Sequence, residues 1–182
     1  MIWTILAAIS IGFFIGYNIA CICTLKKLPY SLSGTYYLLN EKQPGAGISF
    51  TIMMLVVFLL LIAPWMWLSG QISTLGSYLT ILAFITCGCM CFVGIAPNIR
   101  TSKRIERIHI ISAAVGAVAA LLWVFIVCWK IAYIFPAWVL LCGGIAHLTK
   151  TAKSCRDYWL ELTAFGTVFT AIIVEMSLVY GS

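Results

Sequence analysis

Long apolar runs alternate with short polar segments along the whole chain. Most runs contain about 20 residues, the length that an α-helix needs to cross roughly 30 Å of hydrocarbon. The pattern therefore predicts an all-α fold, a polytopic transmembrane bundle of six helices with short loops, in which residues 1–182 form one domain. The six predicted spans lie near residues 2–23, 48–68, 78–96, 108–129, 131–148 and 159–180.

The composition supports lipid as the main solvent of this chain. Of its 182 residues, 63% are hydrophobic and 9% are charged, and the mean hydropathy is +1.09. A water-soluble core of this size would not need such a balance. The spans and loops use up the length, so we expect no separate soluble domain. The first apolar run lacks the basic start of a signal peptide and is predicted to remain as the first helix.

Basic residues are concentrated in every second loop, and this distribution predicts the orientation. The second loop and the C-terminal tail carry none, and the fourth loop has only Lys130. By the positive-inside rule, the three basic loops face the cytoplasm and both termini face outward. The basic residues of the first, third and fifth loops are Lys26, Lys27 and Lys42; Arg100, Lys103, Arg104 and Arg107; and Lys150, Lys153 and Arg156.

The same distribution indicates partners and location. Lys and Arg in short loops beside apolar runs contact anionic lipid at the inner face. We therefore expect membrane lipids as partners and no nucleic acid, despite the net charge of +6. A bacterial inner membrane is the predicted location. The first polar loop is longer than the others, and it is predicted to form an interfacial helix or a re-entrant turn.

Two predicted spans carry small side chains four positions apart. This spacing stacks small residues on one side of a helix and lets a neighbouring backbone approach closely. It predicts buried, packed helices, and it is also compatible with a homo- or hetero-oligomer. The stripe of the first span is Ala8, Gly12, Gly16 and Ala20, and that of the fourth is Ser112, Gly116 and Ala120.

Ionisable side chains gather at the inner ends of the last three spans. His109 begins the fourth span and His147 ends the fifth, while Asp157 and Glu161 open the sixth. Imidazoles and carboxylates can bind a divalent metal, activate water or relay protons, so all four are candidate catalytic residues. His109, His147 and Asp157 are candidate zinc ligands. Because the chain lacks H-E-x-x-H and G-x-S-x-G motifs, and such residues beside basic loops more often form salt-bridged helix caps, we expect no cofactor, with a divalent metal such as zinc as the alternative.

The last predicted span carries an acidic stripe. Asp157 and Glu175 are 18 residues apart, or five turns of about 3.6 residues, so they lie on one face. Glu161 lies within about 40° of that face. Because acids inside a membrane are costly, the stripe predicts a ligand or ion path, with Asn98 and Ser112 nearby. The alternative is that Glu175 reaches the outer interface or pairs with a loop lysine.

One segment resembles a known family. The stretch GIAPNIRTSKRIERIHIISAAVGAV contains Gly94 and Pro97, then a basic loop, then His109 followed by Ser112 and Ala113. It is similar to the corresponding segment of the DRAM/Frag-type six-helix membrane proteins, and it covers about one seventh of the chain. The resemblance implies a bundle of six helices.

Three functions are compatible with the sequence. The first is binding or transport of a small molecule, lipid or ion through the interior of the bundle. The second is metal-dependent hydrolysis at the cytoplasmic interface, and the third is a structural role in a membrane complex. Because no motif specifies a reaction, we favour the first function, which is not enzymatic.

Overall fold

The computed structural model describes residues 2–72, 75–97, 102–127 and 133–181. Within these ranges the chain forms seven α-helices, and the predicted all-α class is confirmed. The helices are α1 (Ile2–Leu25), α2 (Thr35–Lys42), α3 (Ile48–Ile72), α4 (Gly76–Ile95), α5 (Lys103–Val127), α6 (Ile134–Leu148) and α7 (Arg156–Gly181).

Five helices, α1, α3, α4, α5 and α7, are long and apolar enough to cross a membrane. Large apolar side chains are exposed along the outside of these helices, for example Ile2, Leu59 and Leu122. Apolar surface of this extent is typical of contact with a membrane or with a partner. The five helices therefore indicate a multi-pass membrane protein.

The sixth predicted span differs from the other five. Helix α6 has 15 residues, about 22 Å of helix at 1.5 Å per residue, which is shorter than the roughly 30 Å of a hydrocarbon core. The prediction began this span at residue 131, and residues 128–132 lie outside the described ranges. The count of six spans and the orientation of the termini therefore stay predictions.

The first polar loop contains a short helix, which is one of its two predicted forms. Helix α2 has eight residues. Nζ of Lys42, at its end, donates to the backbone oxygen of Thr24 in α1. At its start, the hydroxyl oxygens of Thr35 and Tyr17 lie 2.7 Å apart and share a hydrogen bond. These two contacts hold α2 against α1.

Helix α3 lies at the centre of the bundle. Its side chains Val57, Leu61 and Trp65 are fully buried, and the helix contacts α1, α4 and α7. Oγ of Ser10 on α1 donates to the carbonyl oxygen of Val57 at 2.8 Å. Several side chains of α3 also form one wall of the interior space described below.

Glycines bring α4 close to both of its neighbours. A Cβ atom at Gly94 would lie 2.6 Å from Cβ of Met54 on α3. A Cβ atom at Gly116 on α5 would lie 2.6 Å from Cε of Met90 and 3.1 Å from Cβ of Cys89, both on α4. The absence of a side chain at these two glycines therefore sets the spacing of α3, α4 and α5.

The two predicted small-residue stripes have different surroundings. On α5, Gly116 and Ala120 are buried and Ser112 is half-buried. On α1, the stripe lies on the exposed side, and a Cβ atom at Gly12 or Gly16 would meet no atom within 4 Å. The exposed residues of the α1 stripe are Ala8, Gly12, Gly16 and Ala20.

Helix α1 packs through its other side, around Phe14. The Phe14 side chain is buried, and its ring centroid lies 4.9 Å from that of Phe165 and 5.2 Å from that of Phe169 on α7. Among the described residues, the α1 stripe therefore makes no close helix contact at Gly12 or Gly16, and its role in packing stays a prediction. The spacing identifies a flat side of the helix, but the large apolar area of the aromatic cluster decides which side is buried.

Candidate functional site

The loops that carry the basic residues meet at one end of the bundle, called here the basic end. The backbone N–H of Tyr158, at the start of α7, donates to the carbonyl oxygen of Tyr30 at 3.0 Å. Residues from the first loop, α5 and α7 also line one common cavity at this end. The basic end consists of residues 26–47, 102–109 and 149–161.

A cavity of about 290 Å³ extends from the basic end into the bundle, between α3, α4, α5 and α7. Along α5, its lining runs from His109 to Leu121, which is about 18 Å of helix. Its volume is close to the roughly 300 Å³ at which small-molecule sites begin. The cavity is therefore long for its volume.

The cavity is polar at the basic end and mainly apolar beyond it. Ser33, His109 and Glu161 line the polar end. Further in, the wall includes Thr86, whose hydroxyl donates within its own helix at 2.9 Å, and Trp65. The apolar lining includes Met54, Phe58, Met90, Phe165, Val168 and Phe169.

Small side chains on two helices provide the space. Ala113, Ala117 and Ala120 line the cavity from α5, and Ala164 lines it from α7. Leu160 also lines the cavity, yet 62% of its surface is exposed. Leu160 therefore forms part of the cavity wall and part of the outer surface of the bundle.

Glu161 is the carboxylate of the polar end. It lies in the second turn of α7, and its Oε2 accepts the backbone N–H of Leu32 at 2.5 Å. This donor is neutral, so it leaves the charge of the carboxylate uncompensated. Among the described residues, no Lys, Arg or His nitrogen forms an ion pair with Glu161.

The segment before α2 is folded so that Leu32 and Ser33 close the polar end. Oγ of Ser31 accepts the backbone N–H of Gly34 at 2.9 Å, and Oγ1 of Thr35 donates to the carbonyl oxygen of Leu32 at 2.6 Å. Such local side-chain bonds are typical of Ser and Thr in turns. With these bonds in place, the backbone N–H of Leu32 points out of the turn and donates to Glu161.

His109 joins the start of α5 to the end of α4. The side chain is buried, and its Nδ1 lies 2.9 Å from the carbonyl oxygen of Ala96. A carbonyl oxygen only accepts hydrogen bonds, so Nδ1 carries the proton. In the neutral ring, Nε2 is consequently a hydrogen-bond acceptor.

Trp65 contributes an indole N–H without an acceptor. The side chain is fully buried, and within the described ranges its Nε1 has no hydrogen-bond partner. The neighbouring indole of Trp123, edge-to-face at 5.4 Å, donates instead to Oγ of Ser69 at 2.8 Å. A buried donor without a partner costs about 1–3 kcal/mol. Trp65 lines the cavity with its side chain, but its Nε1 is shielded from that space.

The structure divides the four predicted catalytic candidates into two pairs. His109 and Glu161 line the same cavity. His147 and Asp157 are exposed, and Asp157 pairs with Arg156 at 3.1 Å. Across the described ranges, no group of three or more His, Cys, Asp or Glu side chains lies close enough to hold a metal ion. The predicted zinc ligands His109, His147 and Asp157 therefore do not form such a group.

Among the described residues, the acids of α7 do not all line the cavity. Asp157 is exposed, Glu161 lines the cavity, and Glu175 is buried away from the described lining. Ser112 is half-buried and does not belong to that lining either. Asn98, the remaining predicted path residue, lies outside the described ranges. The three acids share one side of the helix, but α7 contacts different neighbours along its length, so their surroundings differ.

Sequence reasoning gave no site role to Trp65 or to the alanines of the cavity. The signal for the alanines is present, because Ala113, Ala117 and Ala120 recur at helical spacing. That spacing cannot distinguish close helix contact from an open space, however, because both need small side chains. The unpartnered N–H of Trp65 depends on its three-dimensional surroundings and has no sequence signal.

A comparison with known protein families, curated proteins and solved structures found no match to this chain.

Proposed function

We propose that this protein binds an amphipathic small molecule or lipid within the membrane, with the polar group at the basic end and the apolar chain inside the bundle. The observation that carries the proposal is the cavity of about 290 Å³, whose polar residues are concentrated at one end. An amphiphile has the same division into a polar and an apolar part. We place the basic end at the cytoplasmic face, following the positive-inside rule.

The apolar walls favour an amphiphile over a bare ion. Beyond the polar end, the lining includes Phe58, Phe165 and Phe169. These side chains cannot replace the water molecules around an ion, and transfer of an unpaired ion into such surroundings costs several kcal/mol or more. We therefore favour binding of an amphiphile over transport of an ion.

Metal-dependent hydrolysis has less support. Of the three predicted zinc ligands, His109 lines the cavity, whereas His147 and Asp157 are exposed elsewhere. Hydrolytic zinc sites use three protein ligands around the metal and an open position for water. The described residues provide no such set.

The proposal can be tested by filling the cavity from α5. Ala117→Phe places a ring in the cavity, whereas Ala114→Phe places the same ring on the exposed side of the same helix. The probe is a dodecyl chain that carries a dansyl fluorophore, added to protein in lipid nanodiscs. We expect Ala117→Phe to weaken probe binding at least about tenfold and Ala114→Phe to leave it unchanged.

Thermal unfolding of both variants checks that each is folded. Equal probe affinity in the two folded variants would contradict the proposal. If Ala117→Phe does not fold, the smaller change Ala117→Val, compared with Ala114→Val, provides the same contrast with a smaller expected loss of affinity.

A further inference from the structure

We propose that the polar group of the ligand is a protonated primary amine, so that the ligand class is a long-chain alkylammonium amphiphile. This inference rests on the proposed amphiphile cavity and specifies what its polar end recognises. It starts from a difference in charge between the chain and the cavity.

The cavity is acidic although the protein is basic. The chain has 11 Lys and Arg residues, five Asp and Glu residues, and a net charge of +6. None of the Lys and Arg residues in the described ranges lines the cavity, whereas Glu161 does. In the described part of the wall, a ligand therefore meets a carboxyl group and an imidazole, but no Lys or Arg side chain.

Glu161 has hydrogen-bonding capacity left for a ligand. A carboxylate offers about four lone-pair sites, and the N–H of Leu32 occupies one of them. No ion pair within the described ranges balances the charge of Glu161. A cationic group of the ligand would supply the partner of opposite charge that stabilises the ionised form of this half-buried side chain.

His109 and Ser33 add further acceptors at the polar end. Because Nδ1 of His109 donates to the carbonyl oxygen of Ala96, its Nε2 is left as an acceptor when the ring is neutral. The hydroxyl oxygen of Ser33 can also accept. An alkylammonium group has three N–H donors and no acceptor, so it complements this set of groups.

Other polar groups fit these surroundings less well. A carboxylate or phosphate would place a second negative charge beside Glu161, and no described Lys or Arg side chain lines the wall to balance it. An alcohol supplies one donor and no charge, and a trimethylammonium group supplies charge and no N–H donor. Of the polar groups compared, only the primary amine supplies both the charge and the donors.

The experiment is a competition between four molecules that share a dodecyl chain. Dodecylamine, dodecyltrimethylammonium, dodecanol and dodecanoic acid each displace the dansyl probe from protein in nanodiscs of zwitterionic lipid. Protein-free nanodiscs correct each concentration for partition into the lipid. We expect dodecylamine to bind at least about tenfold more tightly than the other three.

Two variants of α7 locate the effect. Glu161→Gln keeps an oxygen for the N–H of Leu32 but removes the charge, so dodecylamine should bind about tenfold more weakly while dodecanol is nearly unaffected. Asp157→Asn removes an exposed carboxylate four positions earlier on the same helix. Because Asp157 lies one turn from Glu161, we expect a much smaller loss of dodecylamine affinity than in Glu161→Gln, and no change for dodecanol.

The outcomes separate the two proposals. If dodecanol or dodecanoic acid binds as tightly as dodecylamine, the amine inference is wrong and the amphiphile cavity stands. If neither the probe nor any competitor binds, the amphiphile cavity itself is wrong. Equal loss of dodecylamine and dodecanol in Glu161→Gln would mean that Glu161 only holds the loop, which also overturns the amine inference.

Discussion

The carboxylate of Glu161 accepts the backbone N–H of Leu32 at 2.5 Å, although the two residues are 129 positions apart. Leu32 is buried, so water cannot readily replace this acceptor. One side chain of the last helix therefore holds the first loop against the cavity. The same side chain faces the space in which we place the ligand.

Removal of this acceptor should destabilise the fold. In Glu161→Ala, the buried N–H of Leu32 loses its partner, and we expect the free energy of unfolding to fall by about 1–3 kcal/mol. Glu161→Gln retains an acceptor oxygen and should lose less. The measurement is unfolding by sodium dodecyl sulfate in mixed micelles, followed by circular dichroism.

Asp157→Ala is the matched control. Its carboxylate is exposed and contacts only Arg156 among the described residues, and an exposed ion pair contributes little. We expect a change within about 0.5 kcal/mol. An equal loss of stability in Asp157→Ala and Glu161→Ala would show that the contact with Leu32 is not the cause.

The two histidines should respond differently to the same substitution. His109→Phe removes the hydrogen bond to the buried carbonyl oxygen of Ala96, so we expect a loss of about 1–3 kcal/mol. His147→Phe changes an exposed position of α6 and should alter stability by less than about 0.5 kcal/mol. Unfolding in mixed micelles measures both, and a loss in His147→Phe as large as that in His109→Phe would refute the assignment.

Glycine-to-alanine substitutions should have opposite signs on two helices. A Cβ atom at Gly94 would lie 2.6 Å from Cβ of Met54, an atom fixed next to the α3 backbone, so Gly94→Ala should cost about 1–3 kcal/mol through overpacking. Gly12→Ala meets no atom within 4 Å and should stabilise its helix by about 0.5–1 kcal/mol.

The same unfolding measurement in mixed micelles distinguishes the two glycines. If Gly94→Ala leaves the free energy of unfolding unchanged, α3 and α4 can separate without cost. A destabilising Gly12→Ala would mean that the exposed side of α1 has a close neighbour in the micelle. Gly16→Ala, at a second open position on the same side of α1, would then be expected to behave like Gly12→Ala.

The five long helices were predictable from the sequence, because a helix that crosses a membrane needs a minimum length and mainly apolar side chains. The packing side of α1 was not predictable in the same way. The spacing of Gly12 and Gly16 predicts a flat contact surface, yet Phe14, on another side of the helix, makes the contact with α7. Side-chain spacing is a property of one helix, whereas burial depends on two.

The candidate site shows the same limit. His109 and His147 carry equal signals in the sequence, since both are imidazoles at predicted span ends, and only their neighbours separate them. Ala96 accepts a hydrogen bond from His109 and helps to bury it, whereas His147 faces outward. Sequence reasoning identified Glu161 by its cost inside a membrane, but its bond to Leu32 requires the folded chain.

The exposure of Leu160 beside the cavity has a consequence for how a ligand would be supplied. Leu160 lies at the basic end, which we place at the cytoplasmic face, so a molecule that reaches the cavity past this side chain comes from the lipid–water interface of the bilayer. Its mole fraction in the bilayer, set by partition, then governs occupancy. At a fixed total amount of ligand, adding lipid without adding protein would dilute the supply and empty the cavity.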